Sequence, residues 1–136
     1  MNMRNYLCYL FFSVASFLFT YWASSEIVDK YLANNLVTIV IALLAINVQT
    51  IAVMAAKLKE ITKDGTFKST VKEIRVSIRE QCLLVIASLF ICGAHSMGSF
   101  EYKAIIIGIC SFFVIYASLH IFIDTFNALI TALFSE

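Results

Sequence analysis

A chain of 136 residues has the length of one domain, and 61% hydrophobic against 14% charged residues is more apolar surface than a soluble core of that size can hide. With no proline and only four glycines, its apolar runs are expected to form unbroken helices. The net charge of +1 excludes little, but seven of the ten Lys/Arg residues crowd between Lys57 and Glu80.

Arg4 precedes the first apolar run, Tyr6 to Ser25, whose 20 uncharged residues suffice to cross a hydrocarbon core of about 30 Å. A secretory signal would also start basic and end in small residues such as Ala23-Ser24-Ser25, but this run is too long and too aromatic. It reads as a retained helix with Tyr21 and Trp22 at an interface. Ser13, Ser16 and Thr20 fall on one face, expected to meet a neighbouring helix, with Phe12, Phe17 and Phe19 turned to lipid.

A short turn, Glu26 to Lys30, leads into a second uncharged run, Tyr31 to Ala56. Inside it Thr38, Ala42, Ala45, Gln49, Ala52 and Ala56 repeat at spacings of 4, 3, 4, 3 and 4. Small side chains let helix backbones approach closely, and a 3.5-residue period predicts a left-handed crossing. Gln49 is expected to hold the bundle together through an amide bond worth roughly 0.6–2 kcal/mol. Asn47 lies about 200° around the same helix, so one face meets the chain's own bundle and the other a second subunit, a water-filled path or lipid. Asn47 reads as an inter-helix hydrogen-bonding amide or, where the helix lines an oligomeric path, as a mid-membrane polar ring with Gln49 holding the bundle.

The stretch 57–80 then carries Lys57, Lys59, Lys63, Lys68, Lys72, Arg75 and Arg79 against Glu60, Asp64, Glu73 and Glu80. Asp64-Gly65 is a turn signal, and Thr70 with Glu73 has capping-box spacing, so this stem is expected to be a helical hairpin. Such a basic stem contacts anionic lipid or docks a soluble partner. Interleaved acids and the lack of any recognition motif argue against nucleic acid.

The third run is 81–100, with Ala87, Ala94 and Gly98 as its small face and His95 near its end. After Glu101-Tyr102-Lys103 a fourth run spans 104–123, where Ala104, Gly108, Ser111 and Ser118 repeat the small-residue pattern with Ile115 in the remaining place. His120 and Asp124 stand at i, i+4, flanked by Tyr116 and Asn127 one turn away on either side. Asp124 reads either as a carboxylate at the membrane boundary or as a proton or cation site. Residues 124–136 form an amphipathic tail.

Several functions are set aside on chemistry. His95 and His120 are expected about 16 Å apart in depth, too far to share one ion, and the four cysteines have no metal spacing. There is no Gly-rich phosphate loop, no Ser/His/Asp set and no pair of intramembrane carboxylates. Neither catalysis nor a cofactor is expected.

The resulting expectation is an all-α polytopic membrane protein, a four-transmembrane-helix bundle with a short cytoplasmic helical hairpin between the second and third helices. It is a single membrane domain of the inner (plasma) membrane and a homo-oligomer. Its expected role is an ion-conducting pore or membrane-permeabilising effector controlled through the stem. The other reading is a non-conducting anchor that recruits a soluble cytoplasmic protein, as in toxin, immunity or phage-defence pairs.

Charge also orients the chain. Arg4 and the seven stem residues oppose only Lys30 and Lys103, which places both termini in the cytoplasm after four crossings. Alkaline-phosphatase fusions should therefore be active at Asn34 and Tyr102 and silent at Gly65 and Glu136. Activity at Gly65 would overturn that topology.

Overall fold

Long apolar runs without proline leave the backbone one economical way to pair its polar groups, and each becomes a helix. The computed structural model describes residues 3–23, 31–61, 67–97 and 102–134. They form α1 (Met3–Trp22), α2 (Ala33–Ile61), α3 (Phe67–Ser96) and α4 (Lys103–Phe134), with no strand among the described residues. The turns expected at Glu26–Lys30 and Asp64–Gly65, together with Lys63, Gly98 and Glu101, lie outside the described residues.

The helices outrun the spans drawn from the sequence. α2 continues to Ile61 and so carries Lys57 and Lys59, while α3 starts at Phe67. Thr70 therefore sits inside α3 and does not cap it. Lys68, Lys72 and Glu73 are favourable helix formers on either side of Thr70, and they let the helix extend upstream of the expected cap. α4 runs without a break to Phe134, so the expected tail is its last turns.

Segments long and apolar enough to cross a membrane occupy Asn34–Ala56, Ile74–Ser96 and Lys103–Thr131, with mean hydropathies of 2.4, 1.6 and 2.3. α1 is not among them, being diluted by Arg4, Asn5, three tyrosines and two serines. The surface agrees with a lipid solvent. Phe11, Phe19, Trp22 and Phe90 are among the most exposed side chains, whereas Ser13, Asn47, Gln81, Ser88, Ser111 and Ser118 are buried. These features mark the chain as a membrane protein.

α2, α3 and α4 pack against one another pairwise, and α1 packs chiefly on α4. Leu36 and Val40 of α2 and Val114 of α4 centre the core, closed by Leu84, Val85, Ala87, Ile91 and Cys92 of α3 and by Ile115. The inward seam of α4 is Ile107, Ser111, Val114, Ser118, Ile121 and Thr125, all buried. Its spacing is that of a coiled-coil seam, in which an apolar residue alternates with a hydroxyl.

The α3–α4 hairpin is tied at its turn. Lys103 Nζ donates to the Met97 carbonyl at 2.6 Å, satisfying an acceptor just past the end of α3. Tyr102 bends the chain at φ 69°, and its carbonyl accepts the Ile106 N–H at 3.0 Å to open α4.

Gly93 lies on the exposed face of α3, where an added Cβ meets nothing within 4 Å. Gly93→Ala should therefore stabilise the helix by about 0.5–1 kcal/mol. Leu36→Ala should cost about 2 kcal/mol, the low end for a buried leucine, because lipid replaces water as the competing solvent. Thermal unfolding in detergent checks both signs.

Candidate functional site

Near its middle α2 carries two amides, Asn47 and Gln49, that face opposite ways. Leu36, Val40, Asn47, Ile51 and Met54 form its buried line, so Asn47 is enclosed by the chain's own helices. Thr38, Ala42, Ala45, Gln49, Ala52 and Ala56 are all exposed. This is the reverse of the arrangement expected for an oligomeric path, with Gln49 on the bundle and Asn47 outside it. The branched and long side chains on the Leu36 line make more dispersion contacts than alanines do, and they claim the interior. The small-residue stripe remains outside as a continuous surface.

The two helices packed on α2 bury polar groups as well. Gln81 of α3 and Ser118 and Ser111 of α4 are buried, and the side chains of Asn47, Gln81 and the two serines have no hydrogen-bond partner among the described residues. Ser88 is also buried but donates to the Val85 carbonyl at 2.7 Å. Lower down, Ser77 of α3 and Thr125 of α4 place their hydroxyls 3.4 Å apart, and Thr125 donates to the Ile121 carbonyl.

The α1–α4 contact is aromatic with polar pins. Tyr9 lies between Phe113 and His120, at centroid distances of 6.2 and 5.4 Å, and Phe12 lies 6.1 Å from Tyr116. Ser16 Oγ and the Tyr116 hydroxyl are 2.7 Å apart. The polar face expected for the first helix thus meets α4: Ser13 is buried and donates to the Tyr9 carbonyl, and Thr20 donates to the Phe17 carbonyl. Phe12 and Phe19 are exposed as expected, but Phe17 is buried and stacks on Tyr21. A helix side that must close over α4 needs one large ring to fill the gap beside its serines.

His120 and Asp124 pair at 3.0 Å through Nε2 and Oδ2, with Asp124 65% exposed. Asn5 Nδ2 also lies 3.3 Å from the same ring nitrogen. A protonated Nε2 donates to Asp124, whereas an unprotonated one accepts from Asn5, so the two partners belong to different tautomers. Among the described residues, no group of three or more His, Cys, Asp and Glu side chains could hold a metal ion. His95 lies apart on α3, half-buried. Cys8, Cys82, Cys92 and Cys110 form no disulfide.

Lys72, Arg75 and Arg79 are exposed near the start of α3 and give the α2–α3 end of the bundle its positive surface. The side chains of Lys57, Lys59 and Lys68 lie outside the described set. No family model matches the chain, and neither the curated proteins nor the solved structures give a significant match.

Sequence reasoning missed Gln81, Asn5 and Tyr9. Gln81 follows Glu80 and reads as the first residue of a span, although Gln81 and Ser88 are a heptad apart. Asn5 and Tyr9 acquire meaning only when α4 supplies His120. If the Ser16–Tyr116 bond pins α1, Ser16→Ala and Tyr116→Phe should couple by about 0.6–1.7 kcal/mol in a double-mutant cycle of unfolding in detergent. Additive effects would show that ring packing alone holds α1.

Proposed function

We propose that the protein is a four-span, homo-oligomeric membrane pore or permeabilising effector, with both termini and the basic hairpin in the cytoplasm. The observation that carries this reading is the exposed stripe on α2. Thr38, Ala42, Ala45, Gln49, Ala52 and Ala56 run the length of the span, and Gln49 puts an amide on the outside of the bundle near mid-depth. A carboxamide is costly against lipid chains and favourable against another polar group. Copies arranged with their stripes towards a common axis bring the small side chains together, and the Gln49 amides form a polar ring there. Lys72, Arg75 and Arg79 then surround the cytoplasmic end of the assembly, where anionic lipid or an acidic partner acts on it.

A second role fits the same basic end: a non-conducting anchor that recruits a soluble partner. The two separate in a planar bilayer. Purified protein should pass current, Gln49→Leu should abolish it with the oligomer retained, and Ala45→Leu should disperse the oligomer by crowding the stripe. Asn47→Leu, altering the interior, should leave the subunit count unchanged by mass photometry. An intact oligomer that passes no current across a range of pH and voltage would leave the anchor.

A further inference from the structure

Three buried neutral polar side chains, from three different helices, lie within about one turn of one another in depth. Asn47 precedes Ile61, the end of α2, by the same length of helix as Gln81 follows Phe67, the start of α3. The other hairpin gives the same match: Gln81 stands as far before Ser96, the end of α3, as Ser118 stands after Lys103, the start of α4. At the helical rise per residue, each of these distances is about 21–23 Å, and the Ser77–Thr125 contact sets Gln81 opposite Ile121, one turn from Ser118, so the three side chains fall within about one turn of the same depth. Their relative exposures are 0% for Asn47, 2% for Gln81 and 1% for Ser118.

They also point the same way. Asn47 is two turns from Val40, and Ser118 is one turn from Val114, both central residues of the core. Gln81 is one turn from Leu84, which packs on that core. Because α3 packs on α2 and α4, a residue of α3 as buried as Gln81 is enclosed between them.

Among the described residues there is no partner for Asn47 Nδ2 and Oδ1, Gln81 Nε2 and Oε1, or Ser118 Oγ. Each carboxamide carries two N–H donors and a carbonyl acceptor, and the hydroxyl both donates and accepts. A cluster of this kind left dry opposes folding, since buried polar groups are matched almost without exception.

We propose that the α2–α3–α4 core binds water at this level, in a mid-bundle hydration site held by Asn47, Gln81 and Ser118. Water is the ligand that meets both halves of the donor–acceptor set, and one molecule commonly makes two to four bonds. A direct Asn47–Gln81 bond would satisfy one donor and one acceptor and strand the rest. A metal cation would face the amide donors with no formal negative charge among the three side chains to offset its own. The Ser77–Thr125 hydroxyl pair continues the polar interior towards the basic end, and buried Ser88 and Ser111 lie in the other direction among Val40 and Val114.

The test is solution NMR of the full chain in micelles, deuterated and carrying 15N on Asn and Gln side chains. Long-lived water should cross-relax directly with the carboxamide protons of Asn47 and Gln81, assigned by their loss in Asn47→Leu and Gln81→Leu. Ser118→Ala, which removes one hydroxyl and leaves the packing volume nearly unchanged, should weaken the water signal at both amides. Cross-relaxation of these amides only with each other or with detergent chains would overturn the proposal. A shift of both resonances on titrating sodium or potassium chloride, absent with an osmotically matched sugar, would assign the site to a cation and overturn it equally.

Discussion

Hydrocarbon around a bundle reverses the usual sorting of side chains, and the α2–α3–α4 core is built on that reversal. Phenylalanine gains nothing by leaving lipid for a protein interior, whereas a hydroxyl or amide gains a partner. Serine, asparagine and glutamine accordingly occupy the centre, interleaved with valine, leucine and isoleucine. On α4 the alternation is regular, with Ile107, Val114 and Ile121 on one set of heptad positions and Ser111, Ser118 and Thr125 on the other. The apolar layers supply close packing; of the polar layers, Thr125 lies within reach of Ser77, while Ser111 and Ser118 have no partner among the described residues.

That constraint sorts α2. Both Asn47 and Gln49 are amides, and both face costs outside water, yet only one can turn inward because they lie on opposite sides of one helix. The choice is made by their neighbours. Leu36, Val40 and Met54 share Asn47's side and fill the interior, while Gln49 shares its side with four alanines and a threonine. A monomer that buries the first face leaves the second to whatever lies beyond it, which is why assembly and interior polarity are separate questions in this chain.

α1 is attached by another chemistry. Tyr9, Phe12, Phe113, Tyr116 and His120 form an aromatic contact, and the Ser16–Tyr116 bond fixes its height. The His120–Asp124 pair, the most chemical-looking feature of the linear chain, is part of this attachment: the imidazole packs on Tyr9 and lies within reach of Asn5. Asp124 is exposed near the basic end of the bundle, where headgroups and water are better solvents for a carboxylate than lipid chains.

The sequence by itself determined the helices, their membrane character and the concentration of charge at one hairpin. These follow from local quantities: apolar run length, the lack of proline, and which residues are ionised. It also disclosed the period of the α2 stripe and the recurrence of small residues along α4. Which side of α2 faced inward was a different matter, because a periodicity marks a face without saying what covers it. Only the tertiary structure decided that, by weighing the packing volume of the Leu36 line against an alanine stripe. It alone showed that Gln81 is buried along with Asn47 and Ser118, since burial depends on which helices pack together, and it alone set Asn5 and Tyr9 beside His120, at the far end of the chain.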